Sequence, residues 1–441
     1  MRFLVRQLYS LLWYVLCPLY LLKLHLRGRK EPLYGQFIGE RFGVYDKDAS
    51  FAGTYIWLHA VSLGEMRAAA VLIEALRKQM PEMKLLLTTS TATGRAQGQT
   101  LIKEGDALCW LPIDVPGAVK RFLRHYRPLI GLLMETEIWP NLMHYAKRRK
   151  VPVLLVNARL SEKSLKGTWK ARILLRPAYG ALSGVLAQTH EDRRRLRIAG
   201  VHHGVQVVGN LKYDMQPDPK LLAAGQRFKN SLQRPTIMAA STRQGEEELL
   251  IKAWEKMQWP GLKENQRPLL LLVPRHPQRF DEVALMVQSE NLSLLRRSAL
   301  QDAAQLCEYD IADLHATDVL LGDSLGEMPM YYGMSDITLL GGSFEAFGGQ
   351  NLIEALACSN PVIMGEHTYN FKRPCAQAVV ENVAFRVSNF EQALEVALPY
   401  LQNADTLKEI HLQARNFVAS NQGACIKIAN FVAGLVRKQN S

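Results

Sequence analysis

Glu65, Glu135 and Lys212 each stand just past an apolar run of this chain. There a carboxylate can take a proton and an ammonium can offset developing negative charge. Glu65 closes HAVSLGE, residues 59–65, where a strand ends in a Gly-containing turn and a helix follows through Ala68, Leu72, Ala75 and Leu76 until Pro81. That puts the carboxylate near a helix N-terminus. The spacing Ser62-x-x-Glu65 is also a capping box, which satisfies two orphan backbone donors, so the residue types alone leave base and cap both open. In METEIWPN, residues 134–141, Glu135 and Glu137 leave a very apolar strand and share a face if the strand runs on that far. Two carboxylates at the mouth of a buried strand are costly to desolvate, which points to function or to plain solvent exposure. Pro140 suits a first helical position, and Lys147, Arg148, Arg149 and Lys150 suit that helix's carboxyl end. Lys212, in GNLKYD at 209–214, either reaches into a ligand cleft or is an ordinary surface lysine.

The second half carries anion-binding patterns. VPRHPQR sets Pro274, Arg275 and His276 at the end of a buried strand, and GDSLGEM sets Leu325, Gly326 and Glu327 past another. GGSFEAFGGQNLIEA, residues 341–355, is a Gly-rich turn running into a helix that begins near Asn351. Backbone amides at such a turn can hold a phosphate, because glycine permits close approach. Glu354, in the first helical turn, can accept both hydroxyls of a ribose. Asn351-x-x-Glu354 and Ser324-x-x-Glu327 are again possible capping boxes. No strand-linked G-x-G-x-x-G and no Walker motif is present, which argues against NAD and ATP.

Alternating elements must position these residues. TYIWLHAV, KLLLTTS, ALCWLPI, LIGLLME, VPVLLVNA, GVLAQT and VQVVGN read as strands of one parallel sheet, since continuous apolar runs imply burial on both faces. After Asp214 to Pro235, which carries three prolines and no strand, TIMAAST, LLLLVPRH, DVLLGD, DITLLGG and PVIMG restart the pattern. The expected fold is α/β, with two Rossmann-like doubly wound parallel-sheet domains facing a cleft at the carboxyl ends of their strands. The boundaries are an anchor at 1–30, a first domain at 31–213, a linker at 214–234 and a second domain at 235–441.

At 441 residues, with 48% hydrophobic and 22% charged side chains, the chain can build two cores. Its formal charge of +13 favours anionic partners. Without zinc-finger spacing, an RNA-binding aromatic signature or a basic heptad helix, a membrane surface is favoured over nucleic acid. QLYSLLWYVLCPLYLL, residues 7–22, is uncharged, and Lys23, Arg27, Arg29 and Lys30 follow it. It spans a membrane, dips into one, or packs as a buried core helix, and by the positive-inside rule the basic flank keeps the body on the cytoplasmic face. The six scattered cysteines, Cys17, Cys109, Cys307, Cys358, Cys375 and Cys425, suit a reducing compartment.

Taken in order, RGRKEP, GERFG, HAVSLGE, TTSTATG, METEIWPN, NARLSEKS, GNLKYD, STRQGEEE, VPRHPQR, GDSLGEM, GGSF and GGQNLIEA make a chain that resembles the Kdo transferases of lipopolysaccharide assembly. The resemblance covers nearly the whole chain and departs at Gln350, where a histidine is expected before Asn351. It implies a GT-B fold, no metal or other cofactor, a CMP-Kdo donor and a lipid A precursor as acceptor, at the inner membrane. By the matching motifs Glu65 is the implied general base, and Glu135 and Lys212 stabilise the transition state. Pro274, Arg275, Leu325, Gly326, Glu327, Asn351, Leu352, Ile353 and Glu354 are the implied CMP-binding set.

Overall fold

The computed structural model describes residues 1–45, 53–202, 204–262, 267–300 and 315–440. The chain forms two compact units, Met1–Asp214 with Gln422–Ser441, and Met215–Asn421.

In the first unit, β1 (Tyr55–His59), β2 (Lys84–Thr89), β3 (Ala107–Trp110), β4 (Ile130–Met134), β5 (Val153–Ala158), β6 (Gly184–Ala187) and β7 (Val205–Val207) lie in the order β3-β2-β1-β4-β5-β6-β7. Every pairing is parallel. Helices cover both faces, so the strands could be apolar throughout. Leu85, Leu86 and Leu87 are all buried, and each contributes about 1.5–3 kcal/mol on leaving water. Trp57 is fully buried over Gly131, where an added Cβ would come within 2.6 Å of its ring. The indole N–H donates to the Thr88 hydroxyl at 2.8 Å.

In the second unit, β8 (Thr236–Thr242), β9 (Leu269–Pro274), β10 (Leu294–Arg296), β11 (Val319–Leu321), β12 (Ile337–Leu340), β13 (Val362–Met364) and β14 (Ala384–Arg386) take the order β10-β11-β9-β8-β12-β13-β14, again all parallel. Ile237, Leu250, Trp254, Leu272 and Leu339 centre its core.

Three expectations need correction. β10 and β14 are additional strands at the two sheet edges; each has only three residues and is partly exposed, so neither leaves an apolar run. The stretch 214–234 is not a bare linker. Asp218 accepts the N–H groups of Lys220 and Leu221 and starts the helix Pro219–Leu232, which belongs to the second unit. That helix crosses Met328–Met334 so closely that a Cβ on Gly225 would overlap the Met330 carbonyl. Finally, the second domain does not run to the carboxyl terminus. The helix Ala424–Asn440 packs on the first unit against Leu63–Gln79. Asp214 holds its start, accepting the Gly423 N–H at 2.5 Å and the Cys425 N–H at 2.7 Å.

The N-terminal helix, Arg2–Gly28, is long and apolar enough to cross a membrane by length and composition. Cys109 and Cys358 are buried core residues, as their neighbours imply, while Cys307 lies outside the described residues.

Candidate active site

The strand order of the first unit reverses between β1 and β4, and ligands in open α/β sheets bind at such a switch point. Glu65 follows β1 and Glu135 follows β4. The sequence builds the Glu65 turn from two sides. Val61 offers its carbonyl to the hydroxyls of Thr89 and Thr91, at 3.0 and 2.9 Å. Its N–H donates to Glu65 Oε2 at 2.9 Å. Ser62 caps the helix Leu63–Gln79 by accepting the Glu65 N–H. The Ser62 half of the capping box therefore exists, while the Glu65 carboxylate, only half-buried, reaches the N–H one residue before the cap.

Burial raises the ionisation of Glu65 to about 7, and the nearby Glu135 and Glu137 carboxylates push it the same way, while the Val61 N–H opposes them. A carboxyl poised there can exchange a proton near neutrality. Glu137 is also raised, again chiefly by burial.

Glu135 is buried and adopts φ 57, a left-handed conformation that non-glycine residues rarely take. Such strain collects at functional sites because the surroundings must hold it in place. Here Arg159 donates its Nε–H to Glu135 Oε2 at 2.7 Å. The Glu135 N–H donates to the Val156 carbonyl, and Arg159 returns its own N–H to the Glu135 carbonyl. Asn157, also left-handed, interrupts the β5–β6 register and accepts the Leu211 N–H at 3.1 Å. The segment 157–159 thus ties Glu135 to the turn Leu211–Asp214 that carries Lys212. That turn packs against the Glu65 helix. Glu65, Glu135 and Lys212 are brought to one end of one sheet.

The second unit reverses its strand order between β8 and β12. Gly341 closes the gap, since a Cβ there would overlap the Ser241 carbonyl. Glu246, fully buried, accepts N–H groups from Arg243, Gly342, Phe344 and Glu345 and so fixes the GGSF turn. Pro274 is buried and Arg275 exposed, its N–H donating to Thr242 at the end of β8. The Arg243 guanidinium lies 2.8 Å from His276 Nε2 and over the Phe347 ring.

Leu325 is exposed, and Gly326 takes φ 85 in the turn after β11. Glu327 there accepts from Arg297 at 2.8 Å and from Ser324. Asn351 caps the short helix Leu352–Ala357, accepting the Ile353 N–H and donating to Glu354 Oε1 at 3.0 Å. Leu352 and Ile353 are buried; toward a ligand they can offer only backbone amides. Gln350 donates its N–H to the Gly341 carbonyl.

Several residues were missed by sequence reasoning. His59 is buried, and desolvation lowers its ionisation to about 4, so it stays neutral with Nδ1 beside Thr88. Arg159 sits inside NARLSEKS and Glu246 inside STRQGEEE, motifs that carried no assigned role. Asp114 accepts the N–H groups of Asn141 and Leu142 and caps the helix Pro140–Arg148 from a distant loop. Only the tertiary fold reveals that last contact. Among the described residues, no group of three or more His, Cys, Asp or Glu could hold a metal ion.

Two Rossmann-like parallel-sheet units, with carboxylates at one switch point and a Gly-rich turn at the other, make a fold of the GT-B type. A solved glycosyltransferase from Rickettsia africae shares the fold, with TM-score 0.55 at 15% identity over 89% of this chain and 100% of its own. Residues 36–215 match the family described as 3-deoxy-D-manno-octulosonic-acid transferase, or kdotransferase. A 3-deoxy-D-manno-octulosonic acid transferase of Bordetella pertussis is 43% identical over 84% of each chain. One from Haemophilus influenzae is 34% identical over 92% of each. The chain belongs to the Kdo transferase family, enzymes of lipopolysaccharide biosynthesis.

Proposed function

We propose that this enzyme moves Kdo from CMP-Kdo to the lipid A precursor, lipid IVA, with Glu65 as general base and without a metal. The observation that carries this reading is the Glu65 carboxyl, half-buried at the β1–β4 switch point and raised to about 7 beside Glu135. The carboxylate takes the proton of the acceptor hydroxyl as its oxygen bonds to the anomeric carbon of Kdo. The bond from that carbon to the CMP phosphate breaks, and its electron pair leaves with CMP. The charge left on the phosphate is offset by the Arg275 guanidinium, the Lys212 ammonium and backbone amides, which do the work a metal does elsewhere.

Pro274 and Arg275, the turn Leu325-Gly326-Glu327, and Asn351, Leu352, Ile353 and Glu354 hold the CMP moiety. Glu135, anchored by Arg159, steadies the transition state together with Lys212. The anionic acceptor and the cytoplasmic face of the inner membrane both suit a chain of net charge +13.

Mass spectrometry of the lipid product tests the reading and counts the sugars added. Purified protein should convert lipid IVA with CMP-Kdo, and CMP but not UDP should raise its melting temperature. Turnover of another nucleotide sugar in place of CMP-Kdo overturns it.

A further inference from the structure

The N-terminal helix Arg2–Gly28 has two unlike faces along its whole length. Arg6, Ser10, Trp13, Cys17, Tyr20 and Leu24, spaced by three or four residues, turn toward the first unit and are buried or half-buried. Trp13, Cys17 and Tyr20 pack on Ile113, Val115 and Ala118, and Leu24 packs on Tyr34 and Ala92. Polar contacts fasten the same face. Tyr9 donates its hydroxyl to Asp114 at 3.0 Å, Asn141 donates to Ser10 at 3.0 Å, and Arg41 donates to Tyr20 at 3.0 Å.

The opposite face is a stripe of Leu4, Leu8, Leu11, Val15, Leu19 and Leu22, each more than half exposed. So much contiguous apolar surface calls for a partner. Arg2 and Arg6 lie at one end of the stripe and Lys23, Arg27, Arg29 and Lys30 at the other, so both ends suit anionic headgroups.

A helix crossing a bilayer needs lipid around its full circumference and about 20 apolar residues. This one has a docked face from end to end. Standing upright would drag Asp114, Asn141 and Arg41 into hydrocarbon, or else strip Tyr9, Ser10 and Tyr20 of their partners at a few kcal/mol per group. The uncharged stretch 7–22 is also only about 24 Å long, against roughly 30 Å of hydrocarbon.

The apolar surface continues beyond the helix. A groove of about 310 Å³ between its start and the helices Pro140–Arg148 and Arg172–Tyr179 is lined by the apolar Phe3, Leu174 and Pro177 and by the basic Arg2, Arg6 and Lys147. That combination suits an acyl chain beneath a phosphate. Trp169 stands exposed nearby in sequence, with Arg172 over its ring, a pairing typical of the headgroup level.

We propose that the N-terminal helix lies in the plane of an anionic leaflet rather than across it, with the Leu4–Leu22 stripe sunk among the acyl chains and the opposite face docked on the enzyme. This rests on the membrane attachment proposed above, and the test separates the two. Full-length protein is bound to vesicles of phosphatidylethanolamine and phosphatidylglycerol in which some lipid carries a diazirine near the acyl terminus. After illumination, peptide mass spectrometry should place adducts on Leu4, Leu8, Leu11, Val15, Leu19 and Leu22 and none on Trp13, Cys17 or Leu24. Adducts on both faces overturn the in-plane arrangement alone. No adduct on the helix overturns membrane attachment with it, and a cross-link between two copies would then name a second chain as the occupant. In the double variant Leu11→Glu/Leu19→Glu, vesicle partitioning should fall on the order of tenfold or more, with the thermal transition unchanged. Undiminished partitioning also overturns the proposal.

Discussion

Glu65 Oε2 accepts the Val61 N–H at 2.9 Å, so one side chain both closes a helix cap and holds a carboxyl at the sheet's switch point. The two roles draw on different properties. The cap needs only an acceptor oxygen, whereas a general base needs a proton affinity near neutrality.

Glu65→Gln separates them. Glutamine keeps the acceptor and loses the base, so transfer should fall by about 10²–10⁴. The carboxyl's ionisation is raised from 4.5 to about 7 in the fold, so the folded state holds its proton more tightly than the unfolded chain. Folding stability from this group is therefore lost as pH rises from 4.5 toward 7, and glutamine removes that loss. At pH 8 the variant should melt a few degrees higher, at about 2–4 °C per kcal/mol. Calorimetry beside an activity assay reads both.

Wild-type transfer should rise with pH and level off above about 7, because the base must be ionised. Glu135→Gln removes the like charge that acts on Glu65 most strongly, so the rise should move to lower pH. A pH–rate profile of kcat/KM checks the direction. An unmoved profile would separate Glu135 from the base electrostatically.

Gly341→Ala should be severe. Its Cβ would overlap the Ser241 carbonyl, and the turn pinned by Glu246 would have to move. The second unit should lose stability, and CMP should no longer raise its melting temperature. Titration calorimetry with CMP measures the second effect directly.

Asp214→Ala should weaken the first unit while leaving CMP binding intact. It leaves the Gly423 and Cys425 N–H groups without their acceptor, at about 1–3 kcal/mol for each group left unsatisfied. Urea denaturation with and without CMP distinguishes the units.

The central strands were legible because a sheet covered on both faces must be apolar without interruption, as in KLLLTT and LLLLVP. β10 and β14 were not, since a short edge strand is neither long nor apolar enough to differ from a loop. The switch-point carboxylates were legible as candidates, but Ser62-x-x-Glu65 reads identically as cap and as base. Only the fold, by burying the carboxyl and setting Glu135 and Glu137 nearby, raises the proton affinity. The helix Pro219–Leu232 had its Asp-Pro start and apolar spacing in plain view, and three prolines in its neighbourhood masked them. Asp114, capping a helix from a loop 27 residues away, left no local trace.

The chain leaves the first unit at Asp214 and comes back to it after Asn421. During synthesis the face of Leu63–Gln79 that receives Ala424–Asn440 is therefore made early and stays uncovered until the whole second unit has emerged from the ribosome. The half that is translated first is the half that is completed last. A chain that ends at Asn421 has its second unit complete, yet it leaves the receiving face of Leu63–Gln79 uncovered on the unit that carries Glu65, which makes that interval the window for chaperone capture.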